Sequence, residues 1–425
     1  MRIYLLFTLF FSLFISKALA QDINVNIEND AVYHFLSEVY YEPEDTSVIL
    51  NYKVPRRLDI PNPAVIPVPQ VEADTITLTY AEDFQFSNSR TVGVEKGVRQ
   101  TMLYNLLPQQ TYYYRLMADE NVVAEGEIVT TGQLRMVYTP HVRNIRDLGG
   151  WPCAGNKVIK YGKLFRGTEL NGIHTSDSID LDILTNQIGI ACELDLRAWY
   201  NDDNNVSAFG FLNATEVGGG EIPTYYYTND SGQLPEHLTD FSYQYRWRRQ
   251  FEFIVNNLKC GRPVYFHCVQ GADRTGYLSM MLEGLLGVAY SDIIKDYELT
   301  TFYNVVKTKN IIDLAIDYIN TLEGETFQEK TNYYFVKKLG VSQSNIDYFL
   351  SEMLQDNTTT GIQGCEEREE RREMRGERCE MRGEIHASHA LYDLQGRKVT
   401  SHPSPHTSRL YIERRPDGTT RKYIR

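Results

Sequence analysis

"PVYFHCVQGADRTGYL", residues 263–278, decides how this chain is read. Val264, Tyr265 and Phe266 form a short β-branched and aromatic run, the texture of a buried strand. The run ends in His267 and Cys268, a loop holding Gly271 and Asp273 follows, and helical periodicity begins at Arg274 and Thr275. In such a loop the backbone N–H groups of Val269, Gln270, Gly271 and Ala272 face a common centre, and the dipole of the helix behind them adds partial positive charge. Gly271 lets the backbone turn beneath an anion, and Arg274 adds a planar two-pronged donor that matches phosphate oxygens. The stretch reads as an oxyanion seat. The same setting activates the cysteine: a free thiol titrates near ~8.5, and a helix N-terminus beside an arginine lowers that by several units. Cys268 is then aligned for in-line attack on a bound phosphoryl group, giving a cysteinyl-phosphate that water hydrolyses. Thr275 is placed to hydrogen-bond the sulfur. The leaving oxygen needs a proton from a carboxylic acid, and Asp273 in the loop or Asp230 in "YYYTNDSGQ" can supply it.

Outward from this stretch, strands and helices alternate. "GIACELDLR" (189–197) is a buried-strand candidate that ends in charge, and Trp247, Phe251, Ile254 and Leu258 fall on one face of a helix that Gly261 closes. Helical periodicity then dominates to about residue 355. The pattern predicts a parallel-rich sheet flanked by helices over 134–357. Ligands collect at the carboxyl ends of such strands, so Asp195 and Arg197 are candidates for a pocket wall, or else a structural ion pair.

Residues 21–133 are strand-like, as in "TITLTY" (75–80) and "TYYYRLMA" (111–118), which predicts an all-β sandwich. Residues 1–20 read as a signal peptide: Arg2, an apolar run from Ile3, and Ala18-Leu19-Ala20 as a small-x-small cleavage site. No later segment has transmembrane length, so the protein is expected to be exported, whether periplasmic, on the cell surface or extracellular. Residues 358–384 form a charged linker, and 385–425 a small β tail with "ALYDLQGRKVT" and "RLYIERR" as two strands. The net charge of −13 argues against nucleic acid or anionic lipid as partner, so an anionic substrate must be held locally. Six cysteines are too few for a disulfide framework, although a Cys192–Cys260 bridge is conceivable beside buried free thiols. No zinc spacing is present, and neither metal nor cofactor is expected; His386, His389, His402 and His406 are scattered through the tail.

"HCVQGADRTG" resembles the signature of cysteine-based phosphatases, and its DRTG ending is similar to that of the bacterial protein-tyrosine-phosphatase-like family 3. "NIRDLGG" (144–150), "LFRGTEL" (164–170), "LDLRAWYN" (194–201) and "KDYELT" (295–300) resemble further motifs of that group, in its order. The resemblance implies a cysteine-phosphatase fold with Cys268 as nucleophile, Arg274 as phosphate-binding arginine, Thr275 as the following hydroxyl and Asp273 as favoured acid. It implies bracing roles for Arg146, Asp147 and Arg166. Several members carry a lysine where this chain has Ala272, and its loss weakens a phosphoinositide or inositol polyphosphate reading. "LLPQQTYYYRL" (106–116), with Leu106, Pro108 and Tyr112, resembles the fibronectin type III pattern, and the tail resembles the C-terminal sorting segment of Bacteroidetes-type bacteria.

These readings imply an exported phosphatase acting on a phosphorylated protein or small phosphomonoester. The competing class is a catalytically silent adhesion protein that uses the sandwich to bind a partner and the loop to hold phosphate. The intact set of Cys268, Asp273 and Arg274 argues against it.

Overall fold

The structure is a computed structural model and describes residues 19–40, 47–51, 58–197, 207–209, 238–303, 306–357, 390–392, 410–414 and 420–424. The chain divides into two compact units, Met1–Gln363 and Gly364–Arg425. The expected signal segment lies, apart from Leu19 and Ala20, outside the described residues, as does the charged linker. Among the described residues no helix is long and apolar enough to cross a membrane.

The first unit begins with a β-rich portion. Strands Thr111–Ala118 and Asn121–Thr131 form its central hairpin, Ile76–Ala81 and Arg90–Gly93 extend it on one side, and Leu19–Ala20 and Ile23–Asn26 add in parallel on the other. Alternation fixes which face is inside: Tyr112, Tyr114, Leu116 and Ala118 are buried while their neighbours are half-exposed. A separate pair, Ala64–Pro67 with Gln100–Leu103, shares that core through Ala64, Ile66 and Leu103. Strands do not account for the whole of this portion. The stretch "DAVYHFLS" forms helix α1 (Asp30–Ser37), whose N-cap Asn29 accepts from the Val32 N–H. Strand-like texture elsewhere hid this helix, although Val32 and Phe35 at i, i+3 give it an apolar stripe.

That stripe does not face the β core. Val32, Phe35, Tyr40 and Ile49 join the core of the following α/β part, and the Phe35 ring meets Phe302 edge-on at 5.5 Å. Backbone and polar bonds seal the contact: the Leu58 N–H donates to Phe302 O at 3.0 Å and Lys295 Nζ to Leu36 O at 3.0 Å.

The α/β part is built on a mixed five-stranded sheet: β1 (Met136–Val137), β2 (Ile145–Asp147), β3 (Leu164–Gly167), β4 (Cys192–Asp195) and, after helix α2 (Phe241–Lys259), β5 (Val264–His267). The spatial order is β4-β5-β3-β2-β1. β5 is parallel to both β3 and β4, whereas β2 is antiparallel to β3 and to β1, so only the centre of the sheet has the parallel arrangement that the sequence suggested. Short strands at an antiparallel edge carry little periodic signal, which is why this edge was not foreseen. Trp247, Phe251, Ile254 and Leu258 of α2 are buried as one face. Beyond β5 come α3 (Asp273–Leu286), α4 (Tyr290–Glu298), α5 (Asn310–Asn320), α6 (Phe327–Tyr333) and α7 (Gln343–Met353).

The second unit holds three described antiparallel strands, Ala390–Tyr392, Leu410–Arg414 and Thr420–Ile424. The last was not expected, although Pro416-Asp417-Gly418 before it is a turn signal.

Phe35→Ala empties a fully buried aromatic site shared with Phe302. It is expected to destabilise the α/β part by about 3–5 kcal/mol. Urea unfolding followed by tryptophan fluorescence measures this, since Trp151 and Trp247 lie in that core; an unchanged midpoint would remove α1 from it.

Candidate active site

The three parallel strands end level with one another. Gly167 and Asp195 both pair with His267 in register, so the segments leaving β3, β4 and β5 emerge side by side at one edge. All four residues of β5 are buried, which fixes the start of the 268–272 loop in the middle of this edge.

The loop is shaped by what its carbonyls bind. The Glu169 N–H donates to Val269 O at 3.1 Å, Asn144 Nδ2 to Gln270 O at 2.9 Å, and Arg166 Nη2 to Gly271 O at 3.0 Å. The Gly276 N–H donates to Ala272 O at 2.6 Å, and His267 Nδ1 lies 3.1 Å from Cys268 O. With these carbonyls bonded outward, peptide planarity turns N–H groups the other way. Gly271 has φ +63°, and a Cβ there would lie 2.2 Å from Gly167 O, so the turn demands glycine on both counts. Helix α3 starts at once, and its N-cap Ala272 offers no capping side chain, which leaves the first-turn N–H groups to the loop's interior.

Behind the loop lies a buried charged frame. Asp296 Oδ1 accepts from Arg146 Nε at 2.8 Å, and its other oxygen forms a tight ion pair with Arg166. Arg146 Nη1 also donates to Asn144 Oδ1 at 2.8 Å, so both groups that hold the loop carbonyls are themselves anchored. Burial opposes the Asp296 charge, but Arg146 and Arg166 keep its carboxyl below the usual value. Glu283, buried beside Asp296, is pushed well above its usual value by burial and by that neighbouring carboxylate. Asp147 braces the backbone too, accepting from the N–H of Gly149 at 2.9 Å and of Gly162 at 2.7 Å, while burial pushes its carboxyl up to about 6. Arg166 directly, and Arg146 through Asn144, contact the loop as a brace would, whereas the contacts of Asp147 are with the backbone at Gly149 and Gly162.

Cys268 is buried, and burial alone would raise its thiol. The Arg274 guanidinium and the hydroxyl and N–H of Thr275 outweigh burial and hold it below its ordinary value. Arg274 Nη1 donates to Leu196 O at 3.2 Å, and its buried Nε has no protein partner. His267 stands just before the cysteine, at the end of β5. Burial disfavours its charge, but Asp195 and Glu193 raise its pKa, and Nε2 lies 2.8 Å from Glu193 Oε1.

Asp195 and Arg197 are an ion pair, with Arg197 Nη2 2.6 Å from Asp195 Oδ2. Arg197 also reaches Glu169 at 2.9 Å and Asn171 at 2.9 Å, tying together the segments after β3 and β4. Their described contacts are those of a brace. Asp230 lies outside the described residues, as do the tail histidines. Cys192 and Cys260 are both free thiols.

Asp273 shows what the sequence reading missed. Its Oδ1 accepts from the Tyr297 hydroxyl at 2.9 Å, and Lys307 Nζ stands 2.7 Å from Oδ1 and 2.9 Å from Oδ2. Tyr297 lay inside a quoted motif without a role; Lys307 lay in none. His141, Asp177 and Asp180 also come close enough to hold an ion. Asp177 and Asp180, however, form the capping box of the short helix Ser178–Asp182, which accounts for the cluster without one.

A family profile described as the tyrosine phosphatase family matches residues 137–360, which carry every element of this site. A protein of Cupriavidus necator assigned as a tyrosine-protein phosphatase is 26% identical over 166 residues, covering 37% of this chain and 59% of that relative. The matched residues make up more than half of the sequence and include the loop, its brace and the Asp273 contacts, so the chain belongs to the tyrosine phosphatase family, a family of phosphoric monoester hydrolases.

Proposed function

We propose that the protein is an exported phosphatase that hydrolyses phosphotyrosine or other phosphomonoesters through a cysteinyl-phosphate intermediate. The observation that carries this reading is the Cys268 thiol, held below its ordinary value at the floor of an outward-bonded loop with Arg274 beside it. In this mechanism a phosphoryl group takes the loop N–H groups and Arg274 as its partners. The thiolate attacks phosphorus as the ester P–O bond breaks, and Asp273 gives a proton to the leaving oxygen. Water then attacks phosphorus, Asp273 takes a proton from it, and the sulfur departs with the Thr275 hydroxyl as partner.

The domain scheme of 21–133 before 134–357 belongs to the same proposal, with the first segment a fibronectin type III-like module. A tyrosine contact favours that module: the Leu107 N–H donates to the Tyr112 hydroxyl at 2.9 Å, as at the tyrosine corner of such sandwiches. Export rests on the composition of residues 2–20, and a sorting role for the tail rests on "YDLQGR" and "LYI". The substrate is a phosphorylated protein or small phosphomonoester, and the β-rich portion is free to serve a protein or surface partner.

Cys268→Ser is expected to lower phosphate release from a phosphotyrosine peptide by about 10³-fold or more. Equal turnover by wild type and variant would end the cysteine mechanism. The pH dependence follows from the sign of the shift. Because the thiol lies below its usual 9.0, the thiolate persists under pH 9 and disappears as pH falls through the lowered value. Arg274→Ala removes the main influence lowering it, so the midpoint of iodoacetamide labelling at Cys268 should move to higher pH. Cys153 and Cys192, each pushed up to about 12 chiefly by burial, should stay unlabelled at neutral pH. Coincident labelling profiles for wild type and Arg274→Ala would contradict this account. Asp273→Asn should slow esters with poor leaving groups by about 10²–10⁴-fold and p-nitrophenyl phosphate much less; an equal loss on both counts against Asp273 as the acid.

A further inference from the structure

Asp273 is engaged at both oxygens, and the Tyr297 and Lys307 contacts both donate to it. The Tyr297 hydroxyl and Lys307 Nζ bond Oδ1, and Lys307 Nζ also bonds Oδ2. A carboxylic acid that hands a proton to a leaving oxygen needs one oxygen protonated and turned toward it. The geometry therefore matches the carboxylate state of the cycle, and Lys307 must release Oδ2 before the acid can act.

Lys307 is held for this task by its backbone. Its N–H donates to Thr301 Oγ1 at 2.9 Å, and that hydroxyl donates back to Lys307 O at 3.2 Å. The ammonium therefore approaches the first turn of α3 from a separate segment. At the loop position just before Asp273, Ala272 is fully buried and brings no charge. Close by in sequence, the Tyr303 hydroxyl lies 3.1 Å from His174 Nδ1, which links the Lys307 segment to the one after β3. Exposed Ile173 and Val306 adjoin that link in sequence.

We propose that Lys307 is a positioning residue for Asp273 that also reads a second anionic group on the substrate; this rests on the phosphatase reading above. Separating a buried ion pair is costly unless another anion takes the place of the carboxylate beside the ammonium. A carboxylate beside the scissile phosphotyrosine, as in an acidic peptide, draws Lys307 off, and the freed Oδ2 takes up a proton from solvent. As the S–P bond forms and the P–O bond breaks, that proton passes to the leaving oxygen and the Asp273 carboxylate regains Lys307. In the second step a proton from the attacking water returns to Asp273, the S–P bond breaks and inorganic phosphate leaves. The proton returned in the second step replaces the one taken from solvent, so the cycle consumes only water and the phosphomonoester.

The test uses the full chain and two phosphotyrosine peptides that differ only in having Glu or Gln on either side of the phosphotyrosine. Wild type is expected to favour the Glu peptide by about tenfold, a difference of the size that one hydrogen bond to a charged group gives. The preference should lie in kcat, because release of Asp273 governs the chemical step; simple attraction of charge would lower KM alone. Lys307→Met should abolish the preference, and Lys307→Arg, which keeps the cation, should restore most of it. Equal kcat for the two peptides with wild type overturns the proposal, and so does a preference undiminished in Lys307→Met. If Lys307→Met fails to fold, the wild-type comparison and Lys307→Arg still decide the matter. A wild type that turns over neither peptide defeats the phosphatase reading itself, which is a separate outcome.

Discussion

Arg166, clasped by Asp296 on one side and bonded to Gly271 O and Ala272 O on the other, gives the site its shape. A loop of five residues has no secondary structure to hold it, and its peptides can face either way. Bonding the carbonyls outward removes that freedom, so donors converge without reorganisation when an anion arrives. Buried ion pairs contribute little net stability, because desolvation offsets the attraction. The value of Arg146, Arg166 and Asp296 therefore lies in geometry.

The charge of the whole protein and the charge of its site have opposite signs. The chain carries −13 overall, yet the Arg274 guanidinium and the hydroxyl and N–H of Thr275 at the start of α3 hold one thiol below its ordinary value against burial and the Asp273 carboxylate. Acidic groups stand one step further out: Glu193 and Asp195 serve His267, and Glu169 and Asp195 serve Arg197. Glu193, Asp195 and Glu169 each pair with a cation.

The local parts of the site were legible in the sequence. Cys268, Gly271, Arg274 and Thr275 stand at fixed spacing on one strand-loop-helix, so the chain itself dictates their geometry. The bracing roles of Arg146 and Arg166 came from the family resemblance of their motifs alone, since Asp296 and Gly271 lie 150 and 105 residues from them. Lys307 was invisible. It reaches Asp273 across 34 residues, through a turn set by a threonine bond that no spacing rule encodes. Helix α1 was missed because its apolar stripe is two residues wide and sits among strand-forming segments. The antiparallel edge of the sheet consists of strands of two and three residues, too short for a period to show.

Asn144 sits in the left-handed region, with φ +56°, and its N–H donates to Asp59 at 2.8 Å while its side chain holds Gln270 O. Asp59 precedes the 137–360 stretch that defines the family. A residue outside the matched segment therefore anchors the backbone of the asparagine that holds the 268–272 loop. A piece cut to 137–360 would keep Cys268, Arg274 and Thr275 but lose that anchor, so the boundary of the family match is not the boundary of the working site.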